Sequence, residues 1–454
     1  MKYLLRLCLS CVLVILMFAY VLLPVQFSIV TPRIGQPAIV TPGESLSIRL
    51  KTNIPYWRPG MELMLVSGQA QQALTVSKQS NSTNEIFIST TIPLNLTPGS
   101  YDLNIKMGDE NLVREKAVYV LAQYPQELSI IQLADLPTLG GDGSGDKMLA
   151  KLIAEINLIN PSAVLFTGDL AYGGGNWYQY ELLLEAMATI DAPVIAAPGN
   201  HEYEGWSGFL TMLGNPYHSV TLGDYHFISL NSGHGRDQLT LSQFNWLTAM
   251  LQQNEDKTQI VQLHHPVKHR EELRGYLHQY TDQFSTLVEK YAVPIVLSGH
   301  WHGDAVYDQN GKEYADTWEF PGTPYVVTTA AGADLREKYS SSPLHHGYRL
   351  IRFKGSKLES YTYDYDEDGQ RDASSSIPVG KLSVVYKSST NASVKNELAE
   401  TFKKVKVKLY APVSMGNLLP NRGHILRKYQ KNEDYYYDIS FTLPANSVVN
   451  IRLQ

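Results

Sequence analysis

Ala163–Tyr172 reads AVLFTGDLAY. A short hydrophobic run ends at Gly168, a carboxylate follows at once, and a phenol stands three residues later. This is the pattern of a buried strand whose C-terminal end delivers Asp169 to a crevice, where open α/β sheets build their sites. Four other segments repeat the device. LSIIQLAD ends on Asp135, PVIAAPGNHE on Asn200, His201 and Glu202, TQIVQLH on His264, and VPIVLSGHWH on His300 and His302. Together the five segments offer two ligand carboxylates, one amide, one phenol and at least three imidazoles. That set exceeds the needs of one ion and suits two ions sharing a bridging carboxylate. Asp169 is the expected bridge and Asp135 the terminal carboxylate. Asn200 supplies a neutral oxygen, and the spacing of His300 and His302 puts both imidazoles on one side of an extended segment.

Around these strands the pattern alternates with helices. Lys147–Asn160 (KMLAKLIAEINLIN) is apolar at helical spacing and is stopped by Pro161; Tyr178–Ile190, Ser242–Gln253 and Gln283–Tyr291 also read as amphipathic helices. Residues 126–354 are therefore expected to form an α/β domain with mixed sheets flanked by helices. Residues 27–125 instead show short alternating strands at Ser45–Lys51, Glu62–Val66 and Glu85–Thr91, punctuated by Pro42-Gly43 and Pro98-Gly99. That spacing predicts an immunoglobulin-like β-sandwich. Residues 355–454 return to β character at Lys381–Tyr386, Lys404–Tyr410, Tyr435–Phe441 and Val448–Leu453, a second β-rich domain.

The chain has 454 residues with 44% hydrophobic and 18% charged content, enough for several globular units. Its net charge of −6 and the lack of Lys/Arg runs give no nucleic-acid surface. Residues 1–26 carry Lys2 and Arg6 and then an uncharged stretch from Leu7 to Leu23. This leader predicts an extracytoplasmic protein, either secreted after cleavage or anchored by a retained membrane segment. Both cysteines, Cys8 and Cys11, lie in the leader, which excludes disulfides, thiolate nucleophiles and thiolate metal sites from the rest of the chain.

The order D, GDxxY, GNH[DE], VxxH, GHxH resembles the calcineurin-like metallophosphoesterases, and among them the purple acid phosphatases, over roughly residues 128–350. The β-rich segment ahead of the motifs is also similar to the plant-type enzymes. The resemblance implies a first ion, usually Fe(III), held by Asp135, Asp169, Tyr172 and His302. It implies a second ion, Fe(II), Zn or Mn, held by Asp169, Asn200, His264 and His300. Many metallophosphoesterases carry D-x-H at the first motif; here Pro137 occupies the histidine position, and Tyr172 stands where the purple enzymes place a tyrosinate. A hard phenolate suits Fe(III), although a Tyr172 that only packs beside Mn or Zn fits the same residues. The purple enzymes also carry a histidine about ten residues after VxxH. This chain has none there, and His269 and His278 bracket the gap.

The expected activity is hydrolysis of a phosphomonoester, with His201 protonating the leaving group or orienting its neighbours. Tyr203 and Trp206 are candidates for the entrance, and His269 for substrate contact. A phosphodiesterase or nucleotide-cleaving enzyme would use the same metal core. A non-catalytic surface binding protein is the remaining alternative. Asp364–Asp372 resembles the start of a calcium loop, but Ser375 stands where the bidentate Glu belongs, so an acidic hairpin tip competes with a calcium site.

Overall fold

The computed structural model describes residues 27–454 except 54–60, 69, 204–206, 234–237, 272, 316, 318, 320–321, 342, 365–371 and 373–374. Residues 1–26, Trp206 and most of the Asp364–Asp372 segment thus lie outside the described residues. No helix among the described residues is long and apolar enough to cross a membrane.

The N-terminal region consists of a four-stranded and a five-stranded sheet. Strand Ser45–Thr52 alternates strictly, with Leu46, Ile48 and Leu50 buried between polar residues. These side chains meet Leu63, Leu65, Leu103 and Ile105 of the other sheet in a core of their own, as expected when each sheet has one apolar face.

The central region contains strands β1 (Glu127–Leu133), β2 (Ala163–Thr167), β3 (Val194–Ala197), β4 (Tyr225–Leu230), β5 (Thr258–Leu263), β6 (Ile295–Ser298), β7 (Tyr325–Val327) and β8 (Gly347–Lys354). Its long helices are α1 (Ser144–Ile159), α2 (Trp177–Ala188), α3 (Leu241–Gln253) and α4 (Thr281–Lys290). In the first sheet β3, β2 and β1 run parallel, and β8 joins β1 antiparallel. In the second, β4, β5, β6 and β7 are all parallel.

The two sheets stack face to face. Leu128, Ile130, Leu165 and Ile195 of the first meet Phe227, Ile260, Ile295 and Leu297 of the second. Alternate residues point the other way: Ile131, Leu133, Val164 and Phe166 pack on α1 and α2, while Val261, Leu263 and Val296 pack on α3 and α4. Because strands apolar on both faces must be covered on both, the order is helices, sheet, sheet, helices. Near the C-terminal strand ends the seam turns polar. Gln132 Nε2 donates to Thr167 Oγ1 and to the Ser298 carbonyl, and Thr167 Oγ1 donates to Gln262 Oε1.

The C-terminal region holds two three-stranded sheets. Unlike the N-terminal pair they have no separate core: Val394, Val407 and Ile439 belong to the cluster that contains Leu149, Leu152 and Ile156 of α1. The first central sheet also continues past residue 355, since Lys357–Ser360 and Ile377–Pro378 both pair with β8.

Candidate metal centre

Each candidate ligand leaves the C-terminal end of a strand. Asp135, Asp169 and Asn200 follow β1, β2 and β3; His264 and His300 follow β5 and β6, with His302 two residues further. Four of them, Asp135, Asp169, His300 and His302, have φ between 52° and 69°. Non-glycine residues hold this left-handed conformation at a cost of about 1–3 kcal/mol each, and they cluster at functional sites. Two glycines of the motifs permit the convergence. A Cβ on Gly168 (φ 86°) would lie 2.4 Å from His264 Nδ1, and one on Gly199 would lie 2.1 Å from Asp169 Oδ1.

Two groups of side chains bring ligand atoms within 4.8 Å of one another: Asp169, His264 and His300, and Asp135, Asp169 and His302. Asp169 is common to both. Its Oδ2 lies 3.1 Å from His264 Nε2 and 3.8 Å from His201 Nε2, and its Oδ1 accepts the His201 backbone N–H at 3.0 Å. Asp135 Oδ2 accepts the His300 N–H at 2.8 Å, leaving Oδ1 3.2 Å from His302 Nε2.

The imidazoles are oriented for cation binding. His264 Nδ1 lies 2.9 Å from the Thr167 carbonyl, and His302 Nδ1 faces the Asp334 carbonyl. A carbonyl only accepts, so each Nδ1 carries a hydrogen and each Nε2 is turned toward the carboxylates, where it can hold a cation once its own proton has left. His300 Nδ1 and His264 Nε2 sit 3.2 Å apart and converge on one point. Asn200 Oδ1 is buried and meets no hydrogen-bond donor among the described residues. A buried amide oxygen without a partner is costly unless something positive occupies its lone pairs. The residues present therefore fit metal ions.

The electrostatics agree. Burial pushes the Asp169 carboxyl up, but His264 and His201 outweigh it and hold the group well below the usual carboxylate range. Burial lowers His264, whereas Asp169 and Asp135 raise it more, to about 10. The surroundings of His300 work the other way: burial, then His265 and His264, hold it well below its ordinary value. Glu202, fully buried, accepts backbone N–H groups from Asp169, Leu170, Ala171 and Gly199 at 2.6–3.0 Å, so one carboxylate ties the GDLAY and GNHE loops together. Burial and the Asp169 charge push it up to about 7.

Other expected site residues are placed differently. Tyr172 is 67% exposed, its ring lies 5.3 Å from the His201 ring, and His201 Nδ1 faces the Tyr172 carbonyl. Tyr203 is 37% exposed at the end of a four-residue helical turn. His269 stacks on Tyr276 at 3.5 Å, and His278 tilts against the same ring at 4.5 Å. Pro137 is buried, so close to Gly332 that a Cβ there would lie 2.6 Å from its ring.

Three contributors were not singled out from sequence. His265 is fully buried, with its ring 4.3 Å from that of His300 and its Nδ1 3.1 Å from Ser232 Oγ. Trp301, between the two histidines, donates its indole N–H to the carbonyls of Arg274 and Gly275. Asp304 forms a buried pair with Arg349 at 2.9 Å and accepts the Thr329 N–H and the Ser376 hydroxyl. The doublet His264-His265 and the charge next to GHWHG were the available signals.

Residues 128–304 match the family model described as calcineurin-like phosphoesterase. Among solved structures the chain is similar to a purple acid phosphatase from yellow lupin (Lupinus luteus) seeds, with 13% identity, 78% of this chain and 70% of that chain covered, and a TM-score of 0.48. It is also similar to GAP50, the anchor in the inner membrane complex of Plasmodium (13% identity, 52% and 87% covered, TM-score 0.39). A third similar structure is a protein from Thermus thermophilus (14% identity, 51% and 97% covered, TM-score 0.35). No curated protein matches the chain.

Proposed function

We propose, on the premise that residues 128–304 are a calcineurin-like phosphoesterase domain, that the chain hydrolyses phosphomonoesters using two metal ions that share Asp169. The observation that carries this reading is the presence of Asp169 in both donor groups. One ion would be held by Asp135, Asp169 and His302, with Tyr172 as a further candidate. The other would be held by Asp169, Asn200, His264 and His300. Such a pair supplies Lewis acidity at the phosphate oxygens and a nucleophile near neutral pH.

The chain's own groups supply the rest. His201 Nδ1 carries its hydrogen toward the Tyr172 carbonyl, so Nε2 faces the crevice beside Asp169. On a side chain 36% exposed, that Nε2 can carry a proton to the departing oxygen. Glu202 and the Thr167 carbonyl keep Asp169 and His264 in register so that neither reorganises during the reaction.

Metal analysis combined with hydrolysis of phenyl phosphate and diphenyl phosphate tests the reading. About two ions per chain and a monoester preference are expected. A single ion per chain overturns the shared bridge, and a diester preference replaces the monoesterase by a phosphodiesterase. The iron assignment has its own test: a tyrosinate-to-Fe(III) visible band that disappears in Tyr172→Phe. Absence of the band at full metal occupancy leaves Mn or Zn as the ions, in keeping with the exposed phenol. We also propose that residues 1–26 carry the catalytic region across a membrane. Protease accessibility on intact cells checks this, and full protection overturns it.

A further inference from the structure

Asp304 and Arg349 form an ion pair at 2.9 Å, and each is 1% exposed. Neither takes part in the chemistry proposed above. Charge buried this deeply is costly unless its lone pairs and N–H groups are met, and here both partners are well supplied. Asp304 Oδ1 also accepts the Thr329 N–H at 3.1 Å, and Oδ2 accepts the Ser376 hydroxyl at 2.5 Å. Arg349 Nε donates to Thr328 Oγ1 at 3.2 Å, and its Nη1 donates to the carbonyls of Tyr361 and Ser375 at 3.3 and 3.2 Å. Thr328 in turn donates its hydroxyl to Gln132 Oε1 on β1. The pair thus pins Thr328 and Thr329, the two residues that follow β7.

From that anchor the chain runs onto one half of the metal centre. Ala331 donates its N–H to the Ala134 carbonyl at 2.8 Å, and Gly332 and Ala333 both donate to the Asp135 carbonyl at 3.2 Å. A Cβ on Gly332 would lie 2.6 Å from the Pro137 ring, so the backbone is pressed onto the first motif. Asp334 then offers its carbonyl to His302 Nδ1, and Asp304 itself stands two residues after His302. Residues 328–334 therefore hold both Asp135 and His302, which share a donor group with Asp169. The opposite group takes its anchors elsewhere. His264 Nδ1 faces the Thr167 carbonyl at 2.9 Å, and the loop of Asn200 is tied by Glu202, which accepts the Gly199 N–H at 2.6 Å.

We propose that residues 328–334, pinned by Asp304 and Arg349, act as a positioning strap for a single ion, the one expected between Asp135, Asp169 and His302. The inference rests on the two-ion reading above. Groups that hydrogen-bond a ligand residue fix the direction of its donor atom and so set how tightly it binds an ion. Hydrogen bonds in a dry, satisfied network are strong enough to hold such a direction. This network is closed at its far end by Ser375 and Ser376, from the part of the chain beyond β8. That segment is thereby built into the support of one ion and not of the other.

The test titrates the chelator-treated full chain with Zn(II) by calorimetry, with Asp304→Asn placed in two backgrounds. His264→Ala leaves only the Asp135 and His302 group complete, and His302→Ala leaves only the His264 and His300 group. An amide at 304 turns an NH₂ toward one of the donors that the carboxylate now accepts. Zn(II) affinity should fall about 10- to 100-fold in the His264→Ala background and by less than about threefold in the His302→Ala background. Equal losses in the two backgrounds mark a merely structural pair and overturn the strap, as does the lack of a loss in the first. If the wild type binds a single ion, the two-ion reading fails and the strap is judged on that ion: unchanged affinity in Asp304→Asn overturns it, and a tenfold loss upholds it. Thermal melts check that each variant is folded at the titration temperature. Should Asp304→Asn not be, the double variant Asp304→Leu, Arg349→Met takes its place, because removing both charges together leaves none unpaired.

Discussion

Asp135, Asp169 and Asn200 leave the first central sheet, whereas His264, His300 and His302 leave the second. One sheet brings oxygen donors to the crevice and the other brings nitrogen donors. Neither edge alone can enclose a cation, because the bridging carboxylate is on one side and its imidazole partners are on the other. The sheets share an apolar core along most of their length, but the Gln132, Thr167 and Gln262 hydrogen bonds replace it beneath the site. Those bonds have direction, which apolar contacts lack, and they fix the Thr167 strand end whose carbonyl orients His264. An ion held between the sheets would act as a clamp as well as a reagent.

The sharpest way to break this pairing of sheets is at the shared residue. Asp169→Asn keeps the shape but removes the anion common to both donor groups; activity should fall on the order of 10³-fold, equivalent to about 4 kcal/mol. Metal content should drop for both ions together. By contrast, His264→Ala should cost only one ion, so parallel metal analysis of the two variants separates a shared bridge from two independent sites. Next in size is Glu202→Gln. Glu202 accepts four backbone N–H groups from the first sheet's loops, and the amide cannot accept them all. A loss of about 10- to 100-fold in metal affinity is expected from isothermal titration.

Chelation should loosen the sandwich. Ligand binding at 100 times its Kd stabilises by about 2.7 kcal/mol, so metal removal should lower Tm by several degrees, read by calorimetry. The pH dependence follows from the pair His264 and Asp169. Metal binding needs His264 neutral, and its folded pKa is raised to about 10. Affinity should therefore rise as pH increases toward 10, with protons released on binding. In the metal-free protein the sign reverses. The raised His264 pKa contributes stability that is complete below the unfolded value near 6.5 and is lost as pH rises through about 10. Urea melts of chelated protein at several pH values check this. The smallest expected effect is that of Tyr172→Phe: because the residue is 67% exposed, kcat should change by less than about threefold.

Much of this site is legible in the chain because ligands at strand ends are local signals. A hydrophobic run, a glycine and a donor occupy adjacent positions, and the five runs became β1, β2, β3, β5 and β6 with the donors just beyond them. The glycines at 168 and 199 are explained by contacts with His264 and Asp169 that are far away in sequence. Helix positions came within a few residues because Pro161 and the apolar spacing stop and start α1 locally. What escaped notice was relational. Nothing near Trp301 in the chain shows that its indole N–H holds the loop at Arg274, or that His265 lies against His300.

By itself the sequence determined which donors exist, that strand ends present them, and that no thiol takes part beyond residues 1–26, where both cysteines lie. These follow from residue chemistry and from periodicity, which depend on neighbours in the chain. Only the tertiary structure decided which donors meet. It joined Asp169 to both groups of ligands, left the Tyr172 phenol largely in water, and merged the C-terminal sheets with α1 while the N-terminal sheets kept a core of their own. The physical reason is that both the donor distances and the shared cores depend on how separate strands and helices stack, and packing joins residues that the order of the chain keeps apart.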